Sequence, residues 1–242
     1  MKEVDALFYG GHDPNGKMCV MEAAAYVAGL PWSDSPECVS PIIARFLRNW
    51  NDSLRTDEER TRLLAPLIPV VLGTAGSAES EMRRSWMAFD WLARECGPAF
   101  MDLSDTLKPH AKALRNLPPI YDKASLDAAM PTLKVAREAS AAALDATGAA
   151  AWDAARDAAR AAARDAARAA AWAAAWAAAG AAAWDAAGAA AWAAAWDALA
   201  PSVLSLQQSA VELVKRMAEV ERTEFTVQRS LKINGYTFEA AK

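Results

Sequence analysis

Cys19 is the side chain with the clearest potential for covalent chemistry. It follows a glycine-rich turn, Gly10–Gly16, and begins a predicted helix over Cys19–Val27. The positive end of a helix dipole lowers the pKa of a thiol and so favours the nucleophilic thiolate. With His12 or His110 as its base, Cys19 would serve a cysteine-dependent hydrolase or transferase. The segment also reads as a buried amphipathic helix, because free cysteine is commonly buried.

A metal site is the second chemistry that these residues suggest. His12, Asp13, Cys19 and Glu22 are ligand types, but their spacing matches no recognised metal motif. The chain also lacks a phosphate-binding loop, a dinucleotide fingerprint and an HExxH motif. We therefore expect no metal ion and no cofactor.

An alanine-rich tract between Leu144 and Asp197 holds the residues best suited to bind a partner. Nearly every fourth residue of the tract is tryptophan, arginine or glycine. The arginine block could bind nucleic acid, but aspartates pair with three arginines at i,i+3 spacing and neutralise the face. The net charge of −4 also argues against nucleic acid. The candidate interaction residues are Trp152, Trp172, Trp176, Trp184, Trp192, Trp196, Arg156, Arg160, Arg164 and Arg168.

A period of four residues has a geometric consequence for a helix. Each step overshoots one turn by about 40°, so the tryptophans and arginines would spiral around a continuous helix and share no single face. Alanine lets helix backbones approach closely, while tryptophan supplies apolar area. Exposed tryptophans would form a large apolar surface, so we expect another copy or the rest of the chain to bury them. Gly180 and Gly188 are the expected break points.

Composition narrows the class of protein. Much of the 54% hydrophobic content is alanine, so 242 residues suit one large domain or a small domain with an extended element. Three cysteines without a CxxC pair fit unpaired thiols in a reducing compartment. The start lacks a signal-peptide pattern, and the uncharged runs are shorter than the ~20 residues that span a bilayer. We expect a cytoplasmic protein without a membrane span.

The patterns predict an all-α fold in four parts. Residues 1–130 are expected to form a compact helical domain, and residues 131–200 a long alanine-rich helical arm with Pro131 in its first turn. Residues 201–222 are expected to form a coiled-coil-like helix, and residues 223–242 a tail or short hairpin.

Capping residues mark the helices of residues 1–130. Ser40, Thr56 and Ser77 are expected N-caps. Gly29 closes the first helix, and Gly97-Pro98 ends the helix that begins after Ser77. Residues 1–17 read as irregular, and a shorter helix is expected to break at Pro109. The helix after Ser77 carries an apolar stripe of Met82, Trp86, Phe89 and Ala93.

The C-terminal region carries two further signals. Apolar residues past Pro201 recur at steps of three and four, which predicts a coiled-coil-like seam of about three heptads. Asn234-Gly235 is typical of a hairpin turn, although so short a hairpin would not stand alone and a frayed tail is the alternative. The seam residues are Val203, Leu206, Ala210, Leu213, Met217 and Val220.

Five short motifs stand out in the first 120 residues: Lys17–Gly29, Trp32–Cys38, Trp50–Asp52, Leu64–Pro69 and Gly73-Thr74. With the alanine-rich tetrads that follow, they resemble an uncharacterised family of actinobacterial and actinophage proteins with a Cys-Val-Met-Glu-Ala motif. The resemblance implies a host or phage setting and no activity, so it carries over no functional residue.

The leading hypothesis is a non-enzymatic helical interaction or assembly protein that forms oligomers through its arm and seam, or binds a host protein. The cysteine-dependent hydrolase or transferase using Cys19 is the alternative. An ice- or surface-binding alanine helix is a third interpretation, although the tract lacks a regular threonine row.

Overall fold

The computed structural model describes residues 2–9, 13, 16–143 and 200–241, which fold mostly into helices with one small sheet. None of the helices in these ranges is long and apolar enough to cross a membrane. The helices are α1 (Val20–Val27), α2 (Pro41–Ser53), α3 (Asp57–Leu64), α4 (Ile68–Val71), α5 (Ala78–Trp91), α6 (Gly97–Met101), α7 (Lys108–Arg115), α8 (123–143) and α9 (200–219). The strands are β1 (Lys2–Val4), β2 (Leu231–Ile233) and β3 (Tyr236–Phe238).

The chain divides into two compact units. The first comprises Met1–Leu92, Pro118–Asp127 and Gln207–Lys242, and the second comprises Ala93–Leu117 and Ala128–Leu206. Both ends of the chain therefore belong to the first unit. This division differs from the predicted boundaries at residues 130, 200 and 222, because the C-terminal residues complete the fold that the N-terminal residues begin.

The sheet of the first unit joins the two ends of the chain. β1 pairs in parallel with β2, with Val4 opposite Ile233, and β2 pairs antiparallel with β3. Asn234 and Gly235 have φ values of 35° and 88°, the positive values that a tight two-residue hairpin turn requires. The hairpin prediction is confirmed. The described residues are mostly helical, as the all-α prediction expected, but the prediction that the first 17 residues are irregular missed β1 and its pairing with the hairpin.

α1 is the central helix of the first unit. Seven of its eight residues are buried, and Tyr26 alone is partly exposed. It packs against α2, α4 and β2, and it lies within one continuous hydrophobic core. The predicted helix over Cys19–Val27 is confirmed, and Gly29 follows it with a φ of 74°.

α9 supplies part of the same core. Leu213, Val214 and Met217 have 0% exposure and pack among the core residues of the N-terminal segment. The C-terminal half of the predicted seam is therefore used within its own chain, and it is unavailable for a coiled coil between copies. A period of three and four identifies an apolar face but does not identify what covers it.

Backbone contacts hold the segment after α9 against residues 69–73. Arg222 donates to the Leu72 carbonyl at 3.1 Å and to the Pro69 carbonyl at 2.7 Å. The Thr223 N–H donates to the Gly73 carbonyl at 2.9 Å. Gly73 has a φ of 74°, and a Cβ there would lie 2.4 Å from the Thr223 carbonyl oxygen. Only glycine satisfies both conditions.

The predicted N-caps are all present. The Ser40, Thr56 and Ser77 side chains accept hydrogen bonds from the backbone N–H three residues later, at 3.3, 3.1 and 3.2 Å. These bonds satisfy N–H groups that a helix leaves without partners in its first turn.

Three proline-based predictions were wrong. α5 continues into a π-helical turn at Leu92–Cys96 and then into α6, which has Pro98 in its first turn. Pro109 likewise lies in the first turn of α7. A proline is tolerated in the first turn of α7 because first-turn N–H groups have no partner within the helix. α8 runs through Pro131 because it begins earlier, where Asp122 accepts a hydrogen bond from the Ser125 N–H at 2.7 Å.

The apolar stripe of Met82, Trp86, Phe89 and Ala93 is not the face by which α5 contacts the core. Met82 is 60% exposed, whereas Met87, Ala88 and Trp91 pack on the core. Residue 84, on the core side at helical spacing, is a fully buried arginine. Because Arg84 is polar, apolar spacing in the sequence does not identify this inner face of α5.

Candidate interaction site

Cys19 lies directly before α1 in a buried position. The Glu22 carboxylate accepts a hydrogen bond from the Cys19 N–H at 2.8 Å, and the side chain of Cys19 is only 2% exposed. Burial raises the pKa of the Cys19 thiol to about 12. The thiolate is then a minute fraction at neutral pH, so the position gives a catalytic role no support. His12 lies outside the described residues, and His110 lies on α7 in the second unit.

The raised pKa of Cys19 predicts a specific dependence of stability on pH. The unfolded thiol loses its proton near pH 9.0, whereas the folded thiol keeps it until about pH 12. The Cys19 contribution is therefore unchanged below pH 9 and falls by about 1.4 kcal/mol per pH unit through that window. We expect the loss of stability above pH 9, measured by urea unfolding, to be smallest in Cys19→Ala, larger in Cys38→Ala and largest in the wild type, because burial also raises the pKa of Cys38. An identical pH profile for Cys19→Ala would contradict the burial argument.

Two of the residues considered for a metal site, Glu22 and Asp13, make other contacts. The Glu22 carboxylate caps the backbone at Cys19, and Asp13 bridges to Lys17 through the backbone. Among the residues that the structure describes, no group of three histidine, cysteine, aspartate or glutamate side chains could hold a metal ion.

A buried arginine on α5, which the sequence analysis missed, fixes the end of α9. The Arg84 guanidinium has 0% exposure and donates to the Met217 carbonyl at 3.0 Å and to the Glu221 carbonyl at 2.6 Å. It also forms a 2.5 Å ion pair with Glu81. The other Glu81 oxygen accepts from the Ser40 hydroxyl at 2.5 Å. One cation therefore connects α5, α9 and the start of α2.

The Glu221 carboxylate forms a second set of contacts, between the segment after α9 and the start of α5. It accepts hydrogen bonds from the Ser77 N–H at 2.9 Å, from the Ser77 hydroxyl at 3.0 Å and from the Ser80 hydroxyl. These bonds, with that from Ser80 contributing most, lower the pKa of Glu221. A carboxylate at the N-terminus of a helix is favourably placed, so Glu221 caps α5 from the C-terminal segment.

A second buried arginine holds the turn between α2 and α3. Arg60 donates to the Asn51 carbonyl at 2.7 Å and to the Leu54 carbonyl at 2.8 Å, and it pairs with Asp57. The Asn51 side chain in turn accepts from the Val20 N–H at 3.3 Å and donates to the Phe8 carbonyl at 3.0 Å. Both networks are structural, because their polar groups bind backbone atoms of the first unit.

Residues 222–226 line an open groove of about 440 Å³. Its arginine, Arg222, is committed to the carbonyl groups of Pro69 and Leu72. The other lining residues are Thr223, Glu224, Phe225 and Thr226, none of which is a common nucleophile next to a base.

The second unit carries most of the exposed large apolar side chains. It accounts for about a quarter of the described residues but for five of the nine such side chains. A contiguous exposed apolar patch is typical of a surface that binds a partner, whereas single exposed apolar side chains are common. The five are Phe100 at 58%, Leu103 at 49%, Met130 at 47%, Val135 at 53% and Leu204 at 51% exposure.

The ten tryptophans and arginines predicted for interaction lie outside the described residues, as do Gly180 and Gly188. The described residues that flank the tract, 128–143 and 200–206, belong to the second unit. The sequence analysis did not identify the five exposed side chains of this unit, because exposure depends on tertiary packing, which apolar spacing does not reveal.

No family model matches this chain, and no curated protein or solved structure is significantly similar to it. The resemblance to actinobacterial and actinophage proteins therefore stays a prediction.

Proposed function

We propose that this chain is a non-enzymatic helical interaction protein that self-associates through its alanine-rich arm, residues 131–200. The observation that carries the proposal is the contrast between the two units. The first unit buries Leu213 and Met217 of the C-terminal seam, whereas the second unit leaves Phe100, Leu103 and Val135 about half exposed. Self-association then falls to the second unit and to the tract within it.

The tract has the composition that such an association requires. It carries six tryptophans among alanines, and each tryptophan can bury 150–250 Å². A host protein is the other partner that we consider, in keeping with the resemblance to host and phage proteins. Nucleic acid remains disfavoured by the net charge of −4. Three free thiols support a cytoplasmic location.

The cysteine-dependent alternative gains no support from the position of Cys19. A nucleophilic cysteine needs access and a lowered pKa, and Cys19 has neither. Burial also raises the pKa of Cys38 and of Cys96.

Replacing Trp172, Trp176, Trp192 and Trp196 with alanine in the full chain tests the role of the tract. Alanine keeps the helix propensity and removes the aromatic area, so we expect the association constant to fall at least about 100-fold. Sedimentation equilibrium measures the constant. The matched control is Tyr121→Ala, which should leave the association constant within about threefold because Tyr121 is 68% exposed and belongs to the first unit.

Two outcomes would contradict this proposal. One is an association constant that survives the loss of the four tryptophans. The other is a monomeric wild type whose tract tryptophans are shielded from a soluble quencher, which would mean that the arm is covered by its own chain.

A further inference from the structure

The first unit is assembled from stretches that lie far apart in the chain. Its C-terminal stretch, Gln207–Lys242, is separated from its N-terminal stretch, Met1–Leu92, by residues of the second unit, Ala128–Leu206. The alanine-rich tract falls within that separating segment. The two stretches are therefore held together by their own packing and hydrogen bonds, in addition to the chain that links them.

The C-terminal stretch supplies two groups of apolar side chains to the shared core. α9 contributes Leu213, Val214 and Met217, and β2 contributes Leu231 and Ile233. All five side chains are fully buried, among core residues that come mostly from the N-terminal stretch. Burial of apolar area is the dominant favourable term when protein surfaces associate, so these residues give the two stretches a strong tendency to bind each other.

The N-terminal stretch is also shaped to receive the backbone that follows α9. The Val27 carbonyl, at the end of α1, accepts a hydrogen bond from the Gln228 N–H at 2.7 Å. A Cβ on Gly29 would lie 2.9 Å from the Gln228 Cβ. Gly73 meets Thr223 in a similar way, since a Cβ there would lie 2.4 Å from the Thr223 carbonyl oxygen. Both glycines, which have positive φ, therefore leave room for the C-terminal stretch.

We infer that the C-terminal stretch is a separable ligand of the N-terminal stretch, and that it stays bound when the chain is cut on both sides of the alanine-rich tract, residues 144–199. The N-terminal stretch then carries a binding surface for an amphipathic helix that is followed by a hairpin. The tract is an insertion, and its removal leaves the first unit whole. The inference concerns contacts within one chain, so it holds whether or not copies associate.

Cutting the chain removes a tether, and the strength of that tether sets the affinity that we expect. A long chain connection holds two binding partners at an effective concentration on the order of a millimolar or less. If the C-terminal stretch is undocked in fewer than about one intact chain in a thousand, the cut pieces bind with a dissociation constant below about 1 µM. We expect docking of this strength because α9 and β2 share one hydrophobic core with α1.

The test inserts a recognition sequence for a site-specific protease after residue 143 and another before residue 200 of the full chain. Cutting the folded protein at both sites releases the tract, which then cannot join the remaining pieces, residues 1–143 and residues 200–242. We expect the two pieces to elute together from size-exclusion chromatography at about 1 µM, in equal amounts and without the tract. Pieces that separate at this concentration, or that stay together only while the tract is present, would overturn the inference.

A pair of α9 variants identifies the contacts that hold the pieces together. Leu213→Ala removes most of a fully buried side chain, so the dissociation constant of the cut pieces should rise at least about 30-fold. Glu219→Ala is the matched control, because Glu219 is exposed on the same helix, and it should change the constant less than about threefold. Equal effects of the two substitutions would contradict binding through the core face of α9.

Hydrogen exchange in the intact wild type gives a readout that needs neither the inserted sites nor a variant. Amides of residues 210–217 should open in fewer than about one molecule in a thousand, as those of α1 do, because both helices belong to one core. Opening of residues 210–217 above that fraction, while α1 stays protected, would show that the C-terminal stretch detaches too readily, and the inference would then be wrong.

Discussion

Arg84→Met is expected to destabilise the first unit by about 3–5 kcal/mol, the largest loss among the single substitutions considered. The substitution leaves the carbonyls of Met217 and Glu221 without their donor and leaves the Glu81 carboxylate without its cation. Removing one partner of a buried pair costs this much because the remaining charge stays desolvated. Urea unfolding followed by far-UV circular dichroism measures the change.

Arg83→Met is the matched control for Arg84→Met. Arg83 is the neighbouring residue of α5, but its side chain is exposed. Substitutions at such surface positions change stability by no more than about 0.5 kcal/mol. Equal losses for the two variants would show that the buried network of Arg84 contributes nothing specific.

Leu213→Ala is expected to cost about 2–5 kcal/mol, whereas Glu219→Ala, on the same helix, should cost less than about 0.5 kcal/mol. Leu213 is fully buried in the core of its own chain, and Glu219 is exposed. The difference between the two variants should be the same at low and high protein concentration, as judged by urea midpoints at two concentrations.

A coiled coil between copies would give a different result for this pair. If Leu213 packed against another copy, the difference in stability between the variants would depend on protein concentration, because dilution separates copies. Such a dependence would contradict the placement of α9 in the first unit.

Local chemistry is what made parts of this fold predictable. Ser40, Thr56 and Ser77 cap helices through bonds that span three residues, and Asn234-Gly235 makes a turn from two residues. Each signal is complete within a few positions, so the sequence contains it without reference to the rest of the molecule.

Features that depend on distant partners could not be predicted in this way. Glu3 pairs with Lys232, which lies 229 residues further along the chain, and three-residue strands carry no periodic pattern. The apolar spacing of α9 was visible, but whether its own core or another copy covers that face depends on tertiary packing. The burial of Arg84 could not be predicted, because arginine is rarely buried and its backbone partners are known only from the fold.

The candidate site shows the same limit. Cys19 at a helix start suggested a lowered pKa, whereas burial raises its pKa to about 12. Desolvation outweighs the helix dipole at this position, and burial is a tertiary property. Which large side chains of the second unit are exposed also depends on tertiary packing, and the buried residues of that unit are mostly alanine.

The native mass of the full-length protein, measured by multi-angle light scattering across a concentration series, tests the proposed self-association most directly. We expect a mass that rises with concentration to at least twice that of the 25.9 kDa chain. A mass of one chain at every concentration would contradict self-association.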